Sequence, residues 1–294
     1  MCGIVGLFLK DETLEPKLGA MLTDMLITMT DRGPDSAGIA IYSAPQDDTK
    51  ITVQSEESGI FVNLKATMCE TLGVGVSVKE VDTHAVVTVP QTHASAALRA
   101  LEDLGLRIMG TGHAMEIYKE VGVPKDVAAR FGLRQMGGSH GIGHTRMATE
   151  SAVTTLGAHP FSTADDQCLV HNGSLSNHNR LRRKLAREGV RTQTENDTEV
   201  AAAYLSSRMS QGASLGEALE GTLKDLDGFF TFVTGTRNGF GVVRDPIACK
   251  PAVLAETGDY VAFASEYRAF ADLPAIETAH VWEPEPATVY FWEK

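Results

Sequence analysis

The chain has 294 residues, 43% hydrophobic and 22% charged, the proportions of an ordinary globular protein long enough to bury one substantial core. Its 38 acidic and 26 basic side chains leave a formal charge of −12, which excludes the broad basic surface that nucleic-acid phosphates require. Cys2, Cys69, Cys168 and Cys249 stand far apart with no C-x-x-C pair, so neither a zinc site nor a disulfide framework is expected. With no basic-then-apolar leader and no apolar run of about 18 residues to span a bilayer, the expected compartment is the reducing cytoplasm.

In chain order, the first stretch is Met1-Cys2-Gly3-Ile4-Val5-Gly6. Removal of Met1 would leave a thiol and an α-amine on one residue, a nucleophile carrying its own base. The amine titrates near ~7.7–8.0 and the thiol near ~8.5. A small residue at position 2 is also what methionine excision tolerates, so this signal gains weight only from motifs farther along the chain. Gly3 to Leu9 reads as a buried strand. Leu18, Met21, Leu22, Met25, Leu26 and Met29 then recur at helical spacing and predict an amphipathic helix packed on it. Asp31-Arg32-Gly33-Pro34-Asp35-Ser36-Ala37-Gly38 breaks that helix, and a strand over Ile39 to Ser43 comes next. Farther on, Ala85 to Pro90 reads as a strand, Ser95 to Leu104 as a helix, Leu106 to Met109 as a strand and Lys125 to Phe131 as a helical piece. Together they predict a small α/β subdomain inserted at about 75–135. His84, His93 and His113 in this region match no metal-ligand spacing.

Polar groups then crowd short strand ends and helix starts. They are Gly141-Ile142-Gly143-His144-Thr145-Arg146-Met147-Ala148-Thr149, Ala158-His159-Pro160, Leu169-Val170-His171-Asn172-Gly173 and Asn196-Asp197-Thr198-Glu199-Val200. Asn-Gly after an apolar strand fits a hairpin turn, and equally an oxyanion hole made of a side-chain amide and a main-chain N–H. Helix capping accounts for Asp197 ahead of a helix over Val200 to Met209. Arg146 in a buried-looking strand needs a carboxylate partner. Arg180, Arg182, Arg183, Lys184 and Arg187 have helical spacing and read as a solvated face. Gly228 to Gly235 and Gly239 to Val243 alternate as paired strands, and Ala287 to Trp292 as a last strand. Strand-rich halves flanked by helices at 15–30 and 197–224 predict two stacked antiparallel sheets between helical layers, with Cys168 and Cys249 packed inside.

Five motifs in order, Met1-Cys2-Gly3-Ile4-Val5-Gly6, Arg32 to Gly38, His144-Thr145-Arg146, His171-Asn172-Gly173 and Asn196-Asp197-Thr198-Glu199, resemble class II glutamine amidotransferase domains, which are N-terminal-nucleophile hydrolases. The resemblance spans the whole chain, 1–294, apart from the inserted subdomain. It implies an α+β fold of four αββα layers. It also implies that Cys2 attacks the side-chain amide of L-glutamine, that Asn172 and Gly173 hold the oxyanion, and that Arg146 and Asp197 bind the α-carboxylate and α-ammonium. Thr149 and His171 would shape the pocket. Arg244-Asp245-Pro246, Lys250-Pro251 and Ala264-Ser265-Glu266 resemble later, structural motifs of the same family. Glu150 departs from the histidine usual in the sugar-amidating branch.

The further implication is a glutaminase subunit that passes ammonia to separate synthase chains in a hetero-oligomer, as in glutamate-synthase-like systems that include N-methylglutamate synthase. Flavin and iron–sulfur groups belong there to the partners, and no cofactor or metal is expected in this chain. The inserted subdomain is the expected docking surface. An N-terminal-nucleophile amidase acting on another amide would not need Arg146, Asn172-Gly173 and Asp197 together. A non-catalytic docking subunit is the third reading.

Overall fold

A computed structural model describes residues 2–57, 59–147 and 153–294. Strand β1 (Gly3–Leu9) shows how its layers arise. Side chains alternate across a strand, so Val5, Leu7 and Leu9 enter one core while Ile4 and Phe8 enter another. Helix α1 (Leu18–Thr28) closes the first core with Leu18, Leu22, Met25 and Leu26. Strand β2 (Ser36–Tyr42) begins three residues before the apolar run, because Ser36 already pairs with Val121 on one side and Arg146 on the other.

The next elements are β3 (Thr49–Gln54), α2 (Leu64–Leu72), β4 (Ser77–Val81), β5 (His84–Val89), α3 (Ala94–Asp103) and β6 (Arg107–Gly112). They form an antiparallel sheet in the order β4-β5-β3-β6 with an apolar core of its own, including Ile51, Met68, Val87 and Leu101. This small unit runs over 49–112, not about 75–135. Thr49–Gln54 mixes polar with apolar residues but supplies a central strand. Strand β7 (Met115–Val121) instead pairs with β2, and helix α4 (Pro124–Arg130) sends Val127 and Ala128 into the core under α1.

The rest of the chain comprises β8 (His140–Arg146), β9 (Phe161–Ala164), β10 (Gln167–Leu175), α5 (His178–Arg187), α6 (Asp197–Ser210), α7 (Leu215–Asp225), β11 (Gly228–Gly235), β12 (Gly239–Arg244), β13 (Val253–Glu256), β14 (Tyr260–Ala264), β15 (His280–Trp282) and β16 (Val289–Glu293). The helical stretch expected over 197–224 is two helices. Gly212 at φ +96° ends the first, and Ser214 caps the second in a capping box with Glu217. One sheet runs β15-β13-β14-β1-β8-β2-β7 and the other β16-β12-β11-β10-β9.

Ile4, Phe8, Tyr42 and Ile142 of the first sheet meet Val170, Val233, Phe240 and Val242 of the second. The sheets touch so closely that a Cβ on Gly6 would lie 2.5 Å from the Phe240 ring. Helices α5, α6 and α7 cover the outer face of the second sheet through Leu181, Leu185, Val200, Leu205 and Leu219. The layers are therefore α, β, β, α, as expected, with both sheets antiparallel. No helix among the described residues is long and apolar enough to cross a membrane.

Candidate active site

Cys2 sits half-buried where β1 begins, and its surroundings explain three sequence motifs at once. Its carbonyl oxygen accepts from Arg32 Nε at 3.0 Å and from Asn172 Nδ2 at 3.2 Å. Arg32 is in turn fixed by Glu266 at 2.8 Å, and the hydrogen bond from Arg32 leads the effects that hold the Glu266 carboxyl below its usual range. Ser265 pins the next residues of β1: Ile4 N donates to Ser265 Oγ at 3.0 Å, and Ser265 N donates to Ile4 O at 2.9 Å. The Arg32-to-Gly38 motif also shapes the neighbouring strand end. A Cβ on Gly33 would lie 2.5 Å from Arg146 N, and Asp35 N donates to Arg146 O at 3.1 Å.

Cys2, Arg146, His171, Asn172, Gly173 and Asp197 line one cavity of about 820 Å³. Thr149 and Glu150 lie outside the described residues. Arg146, at the end of β8, is only 8% exposed and donates from Nη1 to Gly157 O at 3.3 Å. Asn172 and Gly173 form no hairpin turn; both lie within β10, opposite Thr231 and Phe230 of β11. Gly173 has φ +150°, and a Cβ there would fall 2.0 Å from Phe229 O, so the strand can take this path only with glycine.

Capping does not explain Asp197. The cap of α6 is Asn196, whose Oδ1 accepts from Thr198 N at 2.8 Å. Asp197 instead accepts from Leu175 N at 2.9 Å, which ties the start of α6 to β10 at the cavity wall.

Beneath the cavity lies a buried histidine cluster. Thr198 Oγ1 is 3.0 Å from His171 Nδ1 and 2.8 Å from His159 Nε2. His159 stacks on His144 with centroids 4.0 Å apart, and His144 Nε2 donates to His171 O at 3.1 Å. Burial lowers the pKa of all three, to about 3 for His144, so they are neutral at pH 7; Asp197 partly opposes this at His171. A single hydroxyl therefore bridges the two neutral rings.

The sequence reading missed the Thr198 bridge and the cavity-facing position of Lys250, whose Nζ stands 4.9 Å from the Phe229 ring centroid. Cys249 is exposed, not packed in the core, because the segment after β12 leaves the sheet at Asp245. Cys168 is buried against Tyr42 OH at 3.3 Å, and burial pushes its thiol up to about 11. Among the described residues no three His, Cys, Asp or Glu side chains gather as they would around a metal ion.

Residues 144–272 match the Glutamine amidotransferase domain family. Over 298 residues the chain is 66% identical to the Glutamine amidotransferase-like protein GlxB of Rhizobium meliloti (strain 1021), across 100% of this chain and 98% of that one. The chain belongs to the class II glutamine amidotransferases. A glutamine–fructose-6-phosphate aminotransferase of Sulfurisphaera tokodaii is 30% identical to this amidotransferase over 186 residues, 60% of this chain and 30% of that one. Among solved structures, the glutamine phosphoribosylpyrophosphate amidotransferase of B. subtilis aligns with 99% of the amidotransferase at a TM-score of 0.64 and 20% identity. This chain spans 47% of that one, and the likeness is one of fold.

Proposed function

We propose that the amidotransferase hydrolyses L-glutamine to L-glutamate and ammonia on Cys2 and hands the ammonia to a separate synthase subunit of a glutamate-synthase-like complex, with N-methylglutamate synthase the specific instance. The observation that carries the first half is the Asn172 amide, 3.2 Å from the Cys2 carbonyl, in a cavity that Arg146 and Asp197 also line. A zwitterionic amino acid needs one fixed cation and one fixed anion, and the cavity supplies both.

In this reading the Cys2 sulfur bonds to the δ-carbon of glutamine, and its proton passes through the α-amine freed by loss of Met1. The negative charge that develops on the carbonyl oxygen is met by the second N–H of Asn172 Nδ2 and the main-chain N–H of Gly173. Collapse breaks the C–N bond, the amine returns the proton, and ammonia leaves. Water then attacks the γ-glutamyl thioester, releasing glutamate and restoring the thiol. Arg146 holds the α-carboxylate, Asp197 the α-ammonium, and His171 completes the wall; the pocket-shaping role of Thr149 rests on the family resemblance alone.

The five ordered motifs support the glutaminase half, and the second half extends the resemblance to glutamate-synthase-like systems. The partner chains would carry the flavin and iron–sulfur groups, the complex would act in the cytoplasm, and the small sheet over 49–112 is the surface this reading gives to docking. The test is a glutamine hydrolysis assay on protein whose loss of Met1 is verified by intact mass, run against asparagine and simple amides. Co-purification from the native source identifies the acceptor. Equal turnover of amides lacking the amino-acid head, or recovery of the protein without companions, overturns the respective half.

A further inference from the structure

Lys119 belongs to β7, a strand remote from Cys2 in sequence and separated from β1 in the sheet by β8 and β2. It is nevertheless only 3% exposed. Its ammonium donates to three main-chain carbonyls of one turn, Ala158 O at 2.8 Å, Pro160 O at 3.2 Å and Leu156 O at 3.3 Å. Three N–H groups meet three acceptors, so the charged form is fully satisfied. Nζ also stands 4.5 Å from the Phe161 ring centroid. Among the described residues Lys119 has no carboxylate within ion-pair distance; Glu199 acts on it only from farther away, and burial draws its pKa down to about 7. A buried cation with no paired anion costs stability wherever it occurs.

The turn it grips is a wall of the cavity. Leu156, Gly157 and His159 all line it. Gly157 O receives Arg146 Nη1, and His159 Nε2 is 2.8 Å from the hydroxyl of Thr198, the residue after Asp197. The seat of the turn is also cut to fit. Gly38, directly across from Lys119 on β2, lacks a side chain, and a Cβ there would stand 1.9 Å from His159 O. Another stretch of the lining has its own holder, because the Glu199 carboxylate accepts from Gln193 N at 2.6 Å and Thr194 N at 2.7 Å. Two buried side chains, Lys119 and Glu199, thus hold two stretches of the cavity lining.

We infer that Lys119 is a positioning residue for the amino-acid head of the substrate: by tethering 156–160 it fixes the carbonyl that orients Arg146 and the imidazole that orients Thr198 beside Asp197. The inference rests on the glutaminase reading. Its test compares alkylation of Cys2 by two reagents, the diazo-ketone analogue of L-glutamine, which carries the α-amino acid head, and iodoacetamide, which does not. In Lys119→Met the diazo-ketone rate is expected to fall by ~10- to 100-fold, while the iodoacetamide rate stays within about twofold. Lys119→Gln, which retains a donor for one carbonyl, should recover part of the loss, and it takes the place of the methionine variant should that variant not fold. Unchanged diazo-ketone labelling, or equal loss with both reagents, overturns the inference. Wild-type protein that iodoacetamide alkylates but the diazo-ketone does not would instead overturn the glutaminase reading itself.

Discussion

Asn172 on β10 donates its side-chain amide to the main-chain carbonyl of Cys2, the residue before β1, 3.2 Å away across the interface of two sheets. The proposed nucleophile and the proposed oxyanion donor therefore come from different layers, and their separation is set by how the layers pack. Asn172→Ala is expected to lower kcat for glutamine hydrolysis by ~10²- to 10³-fold with little change in KM, since the amide acts on charge that exists only in the transition state. Steady-state kinetics decide this; a variant whose loss falls on KM alone would assign Asn172 to ground-state binding instead.

Replacing Arg146 should have the opposite signature. Arg146→Lys keeps the charge but loses the planar fork, so KM for glutamine should rise by ~10- to 100-fold with kcat little changed, the worth of a charge-assisted hydrogen bond. An amide lacking the α-carboxylate should be turned over equally by both forms. If KM for glutamine is unaffected, Arg146 does not hold the carboxylate.

Gly173→Ala should cost stability before it costs chemistry. With φ at +150° and Phe229 O only 2.0 Å from the position of the new Cβ, β10 must leave its ladder with β11. We expect a loss of roughly 2–4 kcal/mol, read as a lower urea midpoint. An unshifted midpoint would mean that the strand accommodates a side chain.

The stability of the protein should fall steeply in acid. Burial lowers the pKa of His84 to about 3, of His140 to about 4 and of His144 to about 3. Between those values and the ordinary histidine range the unfolded chain binds more protons than the native one, so stability rises with pH across that window and is lost as pH falls through it. His140→Gln should flatten the acid limb of a urea-unfolding series by about 3 kcal/mol at most. A limb of unchanged slope would show that His140 is not buried as a neutral ring.

Cys2→Ala should abolish glutamine-dependent turnover and leave folding intact, because Cys2 is held through its carbonyl, which Arg32 and Asn172 grip and alanine keeps. In the proposed complex with a synthase, synthesis from free ammonia should survive. Loss of both activities would refute the division of labour between glutaminase and synthase.

Much of the fold was legible in the sequence where local pattern and chemistry coincide. Strand β1 and helix α1 follow from alternation and helical spacing, and β11 and β12 fall within a residue or so of their expected ends. The small sheet was mis-bounded because the alternation in Thr49–Gln54 carries only two apolar residues, Ile51 and Val53, and the segment gains its place by pairing with β5 and β6. Lys119 left one readable trace. It continues, at period two, the inward row of Met115 and Ile117, where a lysine has no business unless something receives its charge.

The order of the motifs by itself determined the family and pointed to the candidate nucleophile and the residues proposed around it, because each motif requires a particular side chain at a fixed offset from its neighbours. Only the tertiary structure decided that Asn-Gly is strand and not turn, that Asn196 and not Asp197 caps α6, and that a lysine on β7 anchors the wall behind Arg146. Those facts depend on partners distant in the chain, and a hydrogen bond between residues 170 positions apart, such as that from Asn172 to Cys2, leaves no local trace.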